Sequence, residues 1–337
     1  MGGRGAATVR IALAAVLAAA WAGCRPAGEA DAGPPRLFPV RTGGSVGFID
    51  RAGKLVVEPR YEIAGPAGEG LIPVADGGRW GYIDMTGATA IEPRFSDADR
   101  FSEGLAGVVV GGGVPREGDV LDLTGAVGKG GYIDKSGAMV IEPQFDGIAA
   151  FSEGLAAVRL GGRWGFVGKD GKVAIQPRFA TVGRFSEGLA TAALPGGPTG
   201  FIDRAGRWAI EPRFAEAYRF AGGLAPARAD DGTWGFVGTD GAWKLGPTYY
   251  WATAFSEGLA AVKVGADWGY LGPDGTMVLA PRFADAKEFS EGLAAVKVRT
   301  RGWGYIDKTG ELVVEPRFER ADPFTSGLGS VRLGAAK

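Results

Sequence analysis

The side chains able to do chemistry in this chain are few in type, and most recur at a fixed spacing. Glutamate stands at one repeated position, Glu69, Glu103, Glu153, Glu187, Glu257 and Glu291, each followed by glycine and most preceded by serine. A row of carboxylates at one level would suit a cation or a sugar. The stronger reading is structural, because Ser-Glu-Gly sits in a tight connection where Ser and Glu oxygens satisfy backbone N–H groups in every copy. Tryptophans that recur on strands between apolar neighbours read as core rather than as stacking platforms. Trp208, Trp243 and Trp251 fall off that position, and Trp243, Tyr249, Tyr250 and Trp251 crowd one repeat that has also lost the Glu before Pro247. Those four are the candidate ligand-facing residues. The last reactive group is Cys24, the only cysteine, directly after Trp21-Ala22-Gly23.

Composition narrows the chemistry further. The 337 residues hold no His and one Cys, which removes the commonest general base, the commonest metal ligand and any thiolate cluster. No metal or cofactor is expected. With 37 Lys+Arg against 38 Asp+Glu the formal net charge is -1, without the basic excess that nucleic-acid binding requires. A nucleophile needs a base and an orienting group, and without His only carboxylate pairs or Ser-Lys arrangements remain. Nearly every acidic residue occupies a repeated slot, so catalysis finds little support. The chain reads as a non-enzyme.

The elements that must position these residues are written by glycine and proline, 60 and 20 residues that recur in step. Gly47, Gly81, Gly131, Gly165, Gly200, Gly235, Gly269 and Gly304 form one series, and Pro59, Pro93, Pro143, Pro177, Pro212, Pro247, Pro281 and Pro316 a second. A third is Gly70, Gly104, Gly154, Gly188, Gly223, Gly258, Gly292 and Gly327. Most spacings are 34 or 35, so residues 37–337 are eight tandem repeats. Between Gly81 and Gly131 the spacing is 50, which marks an insertion at about 111–126 between the first and second strands of its repeat. Its Val120-Leu121-Asp122-Leu123-Thr124-Gly125 mimics a strand and turn, as a duplication remnant would; the alternative is a functional loop.

The motif Trp-Gly-(Tyr/Phe)-(Ile/Val)-Asp-x-x-Gly, an Ile/Val pair, Glu-Pro-Arg-Phe and Phe-Ser-Glu-Gly-Leu-Ala resembles the WG repeat family over nearly all of 37–337. The resemblance implies an architecture and supplies no catalytic residue. Ahead of the repeats, Arg4 and Arg10 precede an apolar run, Ile11 to Ala22, too short to span a bilayer. With Ala22-Gly23-Cys24 it resembles the lipobox of bacterial lipoproteins, which implies a signal peptide over 1–23 and a lipidated Cys24. Residues 24–36 read as a flexible tether. The expected localisation is the cell envelope, lipid-anchored, on the periplasmic or outer-surface side.

Each repeat reads as three short strands. Taking one copy, Leu155 to Leu160, Trp164 to Val167 and Lys172 to Gln176 are apolar segments, and Pro177 ends the third. Asp-x-x-Gly joins the second and third as a type I turn. Both faces are apolar, so neighbouring repeats must cover them, with Gly165 and alanines leaving room for a neighbour's aromatics. The fold class is all-β, a three-stranded antiparallel meander repeated eight times in a propeller-like ring, or alternatively an open superhelical β array. Apolar terminal repeats favour the ring. An extra strand at Leu328 to Leu333 would pair beside Val46 to Asp50 in a ring, or cap an open array. The functional expectation is an envelope-anchored scaffold that binds a protein partner, with a glycan-binding module second and a carboxylate-dependent hydrolase third.

Overall fold

The computed structural model describes residues 8–12, 37–42, 44–50, 54–112, 120–122, 128–323 and 328–333. Cys24, the 24–36 tether and most of the insertion lie outside the described residues. Every regular element among the described residues is a strand, and the strands form eight antiparallel sheets, the eight blades of a β-propeller. Blade 1 covers 38–61, and blades 2 to 8 cover 63–95, 97–145, 147–179, 181–214, 216–249, 251–283 and 285–321.

Blades 2 to 8 have four strands where the sequence suggested three. In blade 4 the order is Gly147–Ala149, Leu155–Leu160, Arg163–Gly168 and Val173–Phe179, each paired to the next. The additional strand is two or three residues long and follows almost directly from the previous blade, so it carries no readable periodicity. Burial falls off across the blade. Leu155 to Val158 are all buried, whereas in Val173–Phe179 only Ile175 and Phe179 are, so the last strand forms the rim.

The repeated Trp-Gly glycine has a different cause from the one expected. Trp164 pairs with Phe179 and Phe166 with Ile175, so the rim strand bulges at Gln176-Pro177-Arg178 toward the single residue Gly165. A Cβ on Gly165 would lie 2.4 Å from the Ile175 carbonyl oxygen and 2.6 Å from the Pro177 nitrogen. The equivalent glycine of every blade meets the equivalent carbonyl at 2.4 to 2.6 Å. The space therefore serves the blade's own rim strand, not a neighbour's aromatic side chain. Proline also does not end the strand. It occupies the bulge, where no ladder donor is needed, and pairing resumes at Phe179. The Asp-x-x-Gly turns behave as expected. Asp134 Oδ1 accepts from Ser136 N at 2.9 Å and Ala138 N at 3.1 Å, and Gly137 takes φ 85°.

The blades close into a ring around an axial cavity of about 760 Å³, lined by residues of blades 3 to 8. A second cavity of about 390 Å³ shares Trp251, Thr253 and Glu288 with it and reaches Pro323 beyond the last blade. An open stack could not turn residues of six successive blades toward one space. The carboxy-terminal strand does not pair beside Val46 to Asp50. Phe38–Thr42 holds that place through a tight turn at Gly44. Leu328–Leu333 instead pairs with the end of the blade 8 rim strand, Phe318 with Leu333 and Ala321 with Val331, because the chain repeats there the short-to-long pairing of every earlier blade. Its other edge pairs with Thr8–Ala12, within the segment that resembles a leader. Within the insertion, Val120–Asp122 pairs with Gly147–Ala149, on the edge of blade 4's short strand opposite its Leu155–Leu160 partner.

Candidate functional site

Most of the recurring polar side chains are consumed at the junctions between blades. Glu69, Glu103, Glu153, Glu187, Glu257 and Glu291 all adopt left-handed backbone, φ 50 to 55°, which is unfavourable for a residue with a Cβ. Where blade 6 has Gly222 instead, φ is 64°, so the fold requires the conformation and the side chain must justify its cost. It does so by reaching across. The Glu103 carboxylate accepts from Gly154 N of the next blade at 2.9 Å, Glu153 from Gly188 N at 2.9 Å, and Glu187 from Gly222 N and Gly223 N at 2.7 and 2.9 Å. The serines act as donors rather than as the expected acceptors. Ser102, Ser152, Ser186 and Ser256 hydroxyls donate to the carbonyl of the next blade's phenylalanine at 2.7 to 2.8 Å.

Two further locks were not legible in the motif. Arg94, Arg178 and Arg282 donate through Nη2 to the turn-glycine carbonyls Gly137, Gly206 and Gly310 of the following blades at 2.5 to 2.8 Å. Tyr82, Tyr132, Tyr270 and Tyr305 donate to carbonyls beyond their own blade at 2.7 to 2.9 Å. Charge also enters the glutamate row: Lys135 meets Glu69 at 3.0 Å and Lys169 meets Glu103 at 3.2 Å. Burial pulls the Glu69 and Glu103 carboxyls up, but the lysine and backbone N–H donors outweigh it and hold both below the ordinary carboxylate range. A carboxylate engaged by a lysine and a backbone amide is a poor proton carrier.

What remains for a ligand is the axial cavity, whose lining includes Arg100, Arg184, Arg219, Glu288, Tyr218 and Trp251. Arg219 of blade 6 meets Glu288 of blade 8 at 3.6 Å across blade 7. Burial pushes the Glu288 carboxyl up, with Arg219 opposing. Tyr218 lies stacked on Trp234, ring centroids 5.1 Å apart at 13°, and Trp251 adds to Trp234 at 5.1 Å. Burial and the hydrogen bond to Glu216 push the Tyr218 phenol up to about 12. Among the described residues no three acidic or cysteine side chains gather closely enough to hold a metal ion.

The four aromatic residues singled out in the sequence are divided by the structure. Trp243 begins and Tyr249 ends the same seven-residue strand, roughly 20 Å apart at strand rise. Trp243 packs edge-on against Phe214 of blade 5 at 5.6 Å, and Tyr249 packs on Phe236 within its own blade. Tyr250 is 67% exposed but does not line the cavity, and only Trp251, 40% exposed, does. Cys24 lies outside the described residues.

Solved structures similar to this chain are remote. The computationally designed Ika8 protein shares 13% identity over 83% of this chain and 93% of its own, with a TM-score of 0.49. BamB from Moraxella catarrhalis shares 12% identity over 88% of this chain and 96% of its own, with a TM-score of 0.47. Likeness at that level bears on no activity. No curated protein matches the chain. The family described as WG containing repeat matches residues 47–80, 80–113, 131–164, 164–193, 200–232, 234–266, 268–299 and 303–335, eight matches for eight blades, the first seven each running from one blade into the next. By its eight repeats, this chain belongs to the WG repeat family.

Proposed function

We propose that the chain is a non-catalytic interaction scaffold that binds a protein partner and is held at the cell envelope, on the periplasmic or outer-surface side, by a lipid on Cys24. The observation that carries the non-catalytic part is the fate of the repeated polar groups: glutamate, serine and arginine side chains are tied into backbone of the adjoining blade. A hydrolase working through carboxylates needs two of them facing one space. The axial cavity is lined by one, Glu288, which Arg219 engages, and the smaller cavity that shares it adds Asp285. A glycan-binding module is the second reading, favoured by the exposed face of Trp251 beside Tyr218.

The anchoring part rests on the short apolar run ending in Ala22-Gly23-Cys24, and on the absence of any helix among the described residues long and apolar enough to cross a membrane. Cys24→Ser is expected to move the protein from the membrane fraction to the soluble fraction. Unchanged membrane association of that variant would remove the lipid anchor from the proposal. Affinity capture from envelope extracts, run beside a glycan array, separates the two readings. Proteins retained on the first support the scaffold, and sugars retained on the second alone support the glycan module.

A further inference from the structure

We infer that the axial cavity is a binding site for an acidic peptide segment, carboxylates engaging Arg100, Arg184 and Arg219 and an apolar side chain resting on Trp251; this deepens the scaffold reading and rests on it. The first ground is a break in the repeat. Immediately before the buried phenylalanines 101, 151, 185, 220, 255 and 289 stand Arg100, Ala150, Arg184, Arg219, Ala254 and Glu288. The neighbouring Ser and Glu positions are held nearly constant by inter-blade bonds, whereas this one varies in size and charge. All but Ala150 line the cavity. The repeat does not fix the residue type at this position, yet it brings Arg100, Arg184 and Arg219 to the lining of one space, a concentration of positive charge that suits an anionic ligand.

Chemistry then selects the class of ligand. Guanidinium forks match carboxylates in a bidentate fashion. The opposing acid is the half-buried Glu288, whose contact with Arg219, 55% exposed, is long at 3.6 Å. A long, partly exposed pair of that kind contributes little, so an incoming carboxylate can take the place of Glu288 at Arg219. The Tyr218 and Trp251 rings, both packed on the buried Trp234, supply an apolar shelf between blades 6 and 7. A glycan fits less well. Sugar hydroxyls are commonly held by planar amides, yet the chain has no asparagine, and Gln144 and Gln176, its glutamines, do not line the cavity.

The test uses the full chain and a fluorescein-labelled nonapeptide repeating Glu-Asp-Trp, read by anisotropy. A Lys-Lys-Trp nonapeptide serves as the charge control, and hexagalacturonate as an acidic-sugar competitor. Binding should weaken about threefold in each of Arg100→Ala, Arg184→Ala and Arg219→Ala, and about thirtyfold in the triple variant. Arg219→Lys, which keeps charge and loses the fork, should fall between the native protein and Arg219→Ala. Arg207→Ala, in an exposed turn with Asp203 as its partner, should bind as the native protein does. These arginines are exposed or half-buried, so a melting temperature matching the native protein shows that the variants fold. No acidic-peptide binding, equal binding by the triple variant, or tighter binding of the basic peptide overturns the site. Displacement by hexagalacturonate at lower concentration than by unlabelled peptide also overturns it, in favour of an acidic glycan. If a protein captured from envelope extracts binds the triple variant as well as the native chain, the axial site falls while the scaffold reading stands; if the native chain captures none, both fall.

Discussion

The junction between blades 3 and 4 and the seam between blades 8 and 1 hold the same ring together by different means. At the inner junction Ser102 bonds to Phe151, the Glu103 carboxylate to Gly154 N, Lys169 to Glu103 and the Tyr132 hydroxyl to Ala149, while the Tyr132 and Phe151 rings meet at 4.9 Å. At the seam the Tyr305 hydroxyl still reaches Asp322, but blade 1 has no short strand and no Ser-Glu-Gly lead-in. There the terminal strands Leu328–Leu333 and Thr8–Ala12 extend the sheet of blade 8, while blade 1 remains a separate three-stranded sheet. The junction between blades 3 and 4 is thus redundant, with several independent bonds, whereas among the described residues the seam shows a different set of contacts. Closure should be the weak point of the ring.

Removing 324–337 tests that difference most severely. It takes away the Leu328–Leu333 strand and uncovers the end of the blade 8 rim strand. The expected result is a melting temperature lower by about 10 °C or more, or aggregation through the unpaired edge. Hydrogen exchange should show protection lost around Phe318 to Ala321, and a loss that spreads to Val46–Ile49 of blade 1 would show that the ends support one another. Protection there equal to that of the full-length protein would mean that the ends do not support one another. Cleavage before Cys24, which the proposed lipid anchor requires, would sharpen the point, because it would remove Thr8–Ala12 from the strand's other edge.

Glycine substitutions within a blade should act locally and less strongly. Gly165→Ala sets a methyl 2.4 Å from a backbone carbonyl that cannot swing aside, and should destabilise by about 3 kcal/mol. Gly137→Val meets a positive-φ requirement, with Ile91 Cγ2 and Arg94 Nη2 at 3.1 and 3.2 Å, and should lose about 2 kcal/mol. Denaturant melts rank the two. A reversed order would make the turn, rather than the bulge, the stricter constraint of the repeat.

Those two glycines also show what the sequence does and does not reveal. The turn at Gly137 is legible because Asp at the first position and Gly at the fourth are a local chemical pattern. The need for Gly165 is not, because the atom that excludes a side chain belongs to Ile175, on the next strand, and contact across a bulge leaves no local signature. The short strands are equally hidden, since Thr181–Val182 is too brief for any period. Crowding in sequence misled the reading of the aromatic residues. Trp243 and Trp251 are eight residues apart, yet a strand carries them to different blade neighbours. The axial arginines had a signal that went unread, the unmatched residue before each phenylalanine, which becomes meaningful only once the ring turns that position toward the axis.

The glutamate row offers a gentler perturbation of one inner junction. Glu153 is held at φ 53° with its carboxylate on Gly188 N. Glu153→Gly relieves the backbone cost and loses the bond, so the terms oppose and the net change should stay within about 0.5 kcal/mol. Glu153→Ala keeps the backbone cost, loses the bond and should destabilise by about 1 kcal/mol. Equal melts for the two variants would mean that the left-handed conformation costs nothing here.

The smallest effect is a pH dependence of these same locks. The Glu69 and Glu103 carboxyls titrate below their ordinary range in the folded chain, against the pull of burial, because Lys135, Lys169 and the Gly104 and Gly154 amides favour the charged form. A folded value below the unfolded one means that the unfolded chain takes up protons first as pH falls. The stabilisation is therefore complete above the unfolded carboxylate range and fades as pH drops through the folded value. Glu103→Gln keeps the shape and cannot ionise. At pH 7 it should melt slightly below the native protein, and by about pH 3 the gap should have narrowed, because the carboxyl of the unfolded chain has by then taken up its proton. A gap that stays constant between those two pH values would show that the junction bond does not depend on the charge of Glu103, and that its geometry alone seals blade 3 to blade 4.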